Sequence, residues 1–85
     1  MDVAYNKKAL DDINFWRKAG NDKVKEKISA LIEDIKKHPF TGIGKPEPLK
    51  FELSGKWSRR IDKENRIVYT VTADCLRIYS LKGHY

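Results

Sequence analysis

Trp57-Ser58-Arg59-Arg60-Ile61-Asp62, Lys63-Glu64-Asn65 and Arg66-Ile67-Val68-Tyr69-Thr70-Val71-Thr72 form the stretch on which the fold turns. Two runs rich in β-branched and aromatic residues flank a polar turn over Asp62–Asn65, which predicts an antiparallel hairpin. Side chains alternate along a strand. Trp57, Arg59 and Ile61 therefore share one face, and Ser58, Arg60 and Asp62 the other. On the next strand Ile67, Tyr69 and Val71 lie together, opposite Arg66, Val68, Thr70 and Thr72. A layer packed on the Ile67 face leaves Arg66 on the open one.

Outward from the hairpin, Ala73-Asp74 turns again and Cys75 to about Lys82 reads as a last strand. On the other side Leu49-Lys50-Phe51-Glu52-Leu53 alternates apolar and polar and reads as a first strand, closed by the Ser54-Gly55 turn. Val3-Ala4-Tyr5 fits a short edge strand.

Two helices precede the strands. Asn6 is the expected N-cap of a helix over about Lys7–Lys18, with Leu10, Ile13 and Trp16 as its apolar stripe. Gly20 suits a left-handed helix end and Asn21 a second N-cap. Val24, Ile28, Leu31, Ile32 and Ile35 then fall on one face of the second helix. His38 reads as a helix-end residue that complements the dipole, and Pro39 stops the helix. The short link predicts an antiparallel helix hairpin covering one face of an antiparallel sheet, an α+β fold in one domain over residues 1–85.

Between the layers runs Thr41-Gly42-Ile43-Gly44-Lys45-Pro46-Glu47-Pro48. It lacks the GxxxxGK[ST] spacing of a phosphate-binding P-loop. Pro48 pushes Glu47 towards the extended region, so this carboxylate sits in a stiff loop amid lysines.

Lys and Arg total 18 against 12 Asp and Glu, a net charge of +6 over 85 residues. Such a field attracts polyanions, and the basic residues gather beside aromatic ones in Lys45–Arg66, the pattern of a nucleic-acid surface. The plain alternative is a merely solvated basic face. Cys75 is the single cysteine, so no intrachain disulfide forms. No signal-peptide pattern or membrane-length apolar run is present, and a cytoplasmic location is expected. One Cys and two distant His offer no metal-ligand spacing, and no cofactor is expected.

On the open face Lys50, Arg60, Arg66 and His84 can gather, with Glu47 at the rim. Arg59-Arg60 and Arg66 bring like charges onto neighbouring strands, an arrangement favoured where an anion is to lie. Lys82-Gly83-His84-Tyr85 closes the sequence. That end is either a solvated tail or half of a site. Such a set can cleave RNA by attack of the 2′-hydroxyl on the adjacent phosphorus. Glu47 would be the base and His84 the acid, with the α-carboxylate of Tyr85 favouring imidazolium and the arginines opposing it. Tyr85 offers a ring for stacking on a base.

The runs Gly44-Lys45-Pro46-Glu47-Pro48-Leu49-Lys50, Leu53-Ser54-Gly55-Lys56-Trp57-Ser58-Arg59-Arg60-Ile61 and Arg66-Ile67-Val68-Tyr69, with His84-Tyr85, closely resemble the YoeB/Txe family. These are RelE-superfamily toxins of type II toxin–antitoxin modules. The resemblance implies a microbial-RNase-like fold and an mRNA endoribonuclease acting in the ribosomal A site. It places catalytic roles on Glu47, Arg66, His84 and Tyr85, and RNA or ribosomal-RNA contacts on Lys50, Arg59, Arg60 and Lys82. The sequence departs at Asn65, where relatives often have His, and at Lys82, where Arg is common and gives bidentate contact. Implied partners are mRNA, the ribosome and a YefM-type antitoxin with an acidic, disordered segment. No membrane partner is expected, and a homodimer is compatible with the sequence. The competing reading is a non-catalytic module that binds RNA or an acidic peptide.

Overall fold

The two helices form where capping and periodicity put them. A computed structural model describes residues 1–83; His84 and Tyr85, both expected in the site, lie outside the described residues. Helix α1 spans Lys7–Ala19 and α2 spans Asp22–Lys37. Gly20 ends α1 at φ 67°, and the Asn21 side chain accepts the Val24 N–H at 3.1 Å, capping α2. Asn6 occupies the expected N-cap position of α1, but its side chain accepts from Arg77 instead of capping.

Helix α2 buries Val24, Ile28, Leu31 and Ile35, with Ile32 partly covered. In α1 the buried face is Ala9, Asp12 and Trp16, while Leu10 is 49% exposed. The expected stripe is thus rotated by about one residue, because α1 turns a carboxylate, not a leucine, towards the end of the last strand.

Among the described residues five strands complete the fold: β1 (Asp2–Tyr5), β2 (Glu47–Pro48), β3 (Trp57–Arg60), β4 (Arg66–Val71) and β5 (Cys75–Ser80). Their order is β1-β5-β4-β3-β2. Strands β2 to β5 form the expected antiparallel meander, whereas β1 lies parallel to β5, so the sheet is mixed. The first meander strand differs from the sequence expectation. Pairing is confined to Glu47–Pro48, and Phe51–Leu53 is a single 3-10 turn. Phe51 has φ 57°, which breaks the extended chain, and the Leu49 N–H bond to the Lys56 carbonyl closes the loop.

The helices cover the face bearing Ile67, Tyr69, Leu76 and Ile78, all at 0% exposure. Each such aliphatic side chain contributes roughly 1.5–3 kcal/mol on burial. The opposite face carries polar residues of β2, β3 and β4 around the buried Val68.

Candidate functional site

Pairing of β2 with β3 places Glu47 opposite Ser58, and pairing of β3 with β4 places Ser58 opposite Val68 and Arg60 opposite Arg66. All these side chains project from the uncovered face by strand alternation. Arg66 is diagonal to Ser58 and reaches past it, a separation that a long side chain spans. Its Nη1 donates to Glu47 Oε1 at 2.8 Å and lies 3.4 Å from Ser58 Oγ. The Arg66 side chain is 18% exposed and that of Glu47 54% exposed, so the pair has a sheltered guanidinium and an accessible carboxylate. Arg60 is exposed beside them. Two arginines directly opposite each other repel. A single carboxylate offsets one of them, and the patch stays cationic.

Lys50 is exposed at the tip of the β2–β3 connection, next to Phe51, which is 91% exposed. Lys82 is also exposed, with Nζ 4.6 Å from the centroid of the Phe15 ring on α1.

Arg59 is not part of this surface. The expectation of a substrate contact fails at this residue because its side chain is 0% exposed. It points to the helix face and all five guanidinium N–H groups are taken. They reach Tyr69 Oη at 3.1 Å, Asp34 Oδ2 at 2.5 Å, and the carbonyls of Ile43 at 3.2 Å, Thr41 at 2.8 Å and His38. Asp34 also accepts the Ile43 N–H at 3.1 Å, and Tyr69 donates to the Pro39 carbonyl at 2.8 Å. The hydrogen bond from Arg59 holds the Asp34 carboxyl below its ordinary value, outweighing burial. Burial pushes the Tyr69 phenol up, opposed by Arg59.

The job of Arg59 is thus to fix the loop that delivers Glu47. The loop fits closely: a Cβ on Gly42 would lie 2.0 Å from Asp34 Oδ2, and one on Gly44 would lie 2.8 Å from Leu31 Cδ2. The Gly44 carbonyl then accepts the Arg60 N–H at 2.6 Å, tying the loop to the end of β3.

Sequence reasoning did not single out Ser58, which is fully buried on the site face beneath Arg66, or a positive role for Asn65. Asn65 Nδ2 donates to Asp62 at 3.0 Å while its Oδ1 accepts the Gly83 N–H at 2.9 Å. Arg66 N–H donates to the Gly83 carbonyl at 2.8 Å. The chain that leads into His84 therefore ends, within the described residues, on the backbone of Arg66. The signal for Asn65 was available as a hydrogen-bonding residue beside Arg66, but its partner is 18 residues away.

A family model described as YoeB-like toxin of bacterial type II toxin-antitoxin system matches residues 5–85. The chain belongs to this YoeB-like toxin family. It is 45% identical to Toxin YoeB of Escherichia coli (strain K12), over 100% of both chains. Its structure is similar to that of a YoeB/ParE toxin from Agrobacterium tumefaciens, with a TM-score of 0.94, 40% identity and 100% of each chain covered. It is also similar to a chain of a YoeB–YefM complex from Staphylococcus aureus, with a TM-score of 0.90 and 38% identity over 100% of this chain and 98% of that one. The sequence resemblance to YoeB toxins is therefore borne out, and so is the helix hairpin on a sheet. Among the described residues, no helix of this YoeB-family chain is long and apolar enough to cross a membrane.

Proposed function

We propose that this YoeB-family toxin is a ribosome-dependent endoribonuclease that cuts mRNA in the A site and so stops translation. The observation that carries the reading is the Glu47–Arg66 pair at 2.8 Å on an uncovered, cationic sheet face, with Arg60 directly across from Arg66. Glu47 takes the proton of the 2′-hydroxyl as the 2′-oxygen bonds to phosphorus. Arg66 and Arg60 stabilise the charge that builds on the phosphorane oxygens. The bond from phosphorus to the 5′-oxygen breaks, and His84 gives its proton to that oxygen, leaving a 2′,3′-cyclic phosphate. Tyr85 stacks on a base, and Lys50 contacts the RNA backbone.

A partner of the YefM type, with an acidic segment that orders on binding, covers the cationic face and silences it. The Staphylococcus aureus complex and the net charge of +6 support this pairing. Its affinity should fall as salt rises.

Primer extension on translated mRNA tests the enzyme reading. Codon-linked cuts should disappear with His84→Gln and drop about 100-fold or more with Glu47→Ala or Arg66→Ala. Binding to ribosomes without any cut product, in the wild-type chain, would instead mark a non-catalytic RNA-binding module.

A further inference from the structure

Strand β5 ends at Ser80, so the sheet ladder no longer serves the backbone beyond it. Almost every polar group of the next three residues is nonetheless bound from outside. Asp12 Oδ2 accepts the Leu81 N–H at 2.9 Å, and Trp16 Nε1 donates to the Leu81 carbonyl at 2.9 Å. Lys8 Nζ donates to Asp12 Oδ2 at 2.7 Å, and to Ser80 Oγ and the Lys82 carbonyl at 3.1 Å each. Asn65 and the Arg66 backbone then take Gly83 from the other side.

Asp12 is 7% exposed, and a carboxylate is costly to bury unless it is paired and hydrogen-bonded. An apolar residue would fill the same place in α1 without that cost. What the carboxylate supplies is an acceptor where the strand has run out of them. The peptide carbonyl of Gly83, which joins it to His84, is delivered to the same Arg66 whose side chain holds Glu47.

We propose that Asp12, assisted by Lys8, is a positioning residue of the nuclease site. It fixes Leu81–Gly83 between α1 and β4, and with them the backbone that leads into His84, the acid of the nuclease reading. This inference rests on the nuclease reading for its kinetic consequence, but its structural consequence stands apart. Asp12 itself touches no substrate, and its effect passes through the backbone.

The experiment uses the full chain on mRNA-programmed ribosomes, together with the imidazole NMR signals of its two histidines, assigned with a His38→Gln variant. Asp12→Ala should lower the maximal cleavage rate by about 10- to 100-fold, as misplacement of a reacting group by an ångström does. The half-saturating ribosome concentration should stay as in the wild type, and the His84 signals should shift. Asp12→Asn keeps an acceptor for the Leu81 N–H and should recover most of the rate. The core variant Ile35→Val should leave rate and His84 signals unchanged. Equal rates and signals in wild type and Asp12→Ala overturn the proposal, as does an Ile35→Val loss equal to that of Asp12→Ala. If Asp12→Ala does not fold, Lys8→Met removes the exposed side of the same network. It should give a smaller rate loss with a shifted His84 signal, and no change in either overturns the proposal. If the wild-type chain cuts nothing, the nuclease reading fails and the imidazole signals alone decide whether Asp12 sets the position of His84.

Discussion

Replacing Arg59 by methionine separates a buried clamp from an RNA contact. Methionine keeps much of the stem volume but none of the five donors. The carbonyls of His38, Thr41 and Ile43 and the Tyr69 hydroxyl each lose a partner inside the fold. Asp34 loses its cation but keeps the Ile43 N–H and some contact with water, since its side chain is 22% exposed. Its share is therefore the smaller one. Leaving buried acceptors without a donor costs about 1–3 kcal/mol apiece and carbonyls that reach water recover part of it, so a total of about 3–5 kcal/mol is expected. Proteins of this size have about 4–13 kcal/mol of stability, so the variant loses a large fraction. In urea the midpoint should fall by about 2–3 M, at a dependence of about 1.5 kcal/mol per molar. Arg59→Lys should recover only part of this, because an ammonium cannot reproduce the planar fork. The assay is equilibrium urea unfolding followed by tryptophan fluorescence, with ribosome binding measured on the fraction that remains folded. A midpoint within about 0.3 M of wild type would show that Arg59 is no clamp, since it would mean a cost below about 0.5 kcal/mol. Normal stability combined with weaker, less salt-dependent ribosome binding would put Arg59 back on the RNA surface.

Three further perturbations probe the same framework. The Arg59 hydrogen bond holds the Asp34 carboxyl below its ordinary pKa of 3.8, so its stabilisation is present above that value and is lost as pH falls through the lower, folded-state value. Acid unfolding curves should show wild type losing stability below about pH 4 more steeply than Asp34→Asn, and parallel curves would contradict the pairing. Gly42→Ala forces a side chain into φ 121° and onto Asp34 Oδ2, so it should destabilise by about 2 kcal/mol or more in urea; a neutral result would mean the loop is not held as described. Phe51 is 91% exposed at φ 57°, so Phe51→Asn relieves left-handed strain without losing core contacts and should raise stability by about 0.5–1 kcal/mol in thermal melts, whereas a lower midpoint would show that the ring packs on something.

The parts legible in the sequence were those governed by local rules. The face of α2, the Gly20–Asn21 junction and the β3–β4 hairpin follow from periodicity, capping and turn chemistry, and the structure bears them out. Strand alternation alone put Arg66 and Arg60 together on the open face. What was not legible depends on partners far away in the chain. Alternation puts the adjacent Arg59 and Arg60 on opposite faces, but nothing within β3 reveals that Asp34, 25 residues away, waits on the helix side to bind Arg59. Phe51 fits an alternating strand pattern, but the turn back to Lys56 uses the left-handed region there and ends the pairing at Pro48. Leu10 matches a helical stripe by spacing. Asp12 takes the buried place because the end of β5 needs an acceptor, which no pattern within α1 reveals.

These long-range contacts explain how so small a domain can hold a composite site. Glu47 lies on a two-residue edge strand, which would be poorly fixed by its own pairing. Its approach is set from the helix side, through Arg59 and the loop carbonyls, and its carboxylate is set from the sheet side, through Arg66. Arg66 does a second task with its backbone, holding Gly83 at 2.8 Å. The two functions do not compete, because one uses the main chain and the other the side chain. A substitution at position 66 therefore removes the guanidinium while leaving the Gly83 contact intact. Loss of activity in Arg66→Ala with unchanged protection of the residue-66 amide would assign the effect to the missing guanidinium. Loss of both would mean that the side chain also holds the strand. Hydrogen exchange at the residue-66 amide, which donates to the Gly83 carbonyl, reads that difference directly.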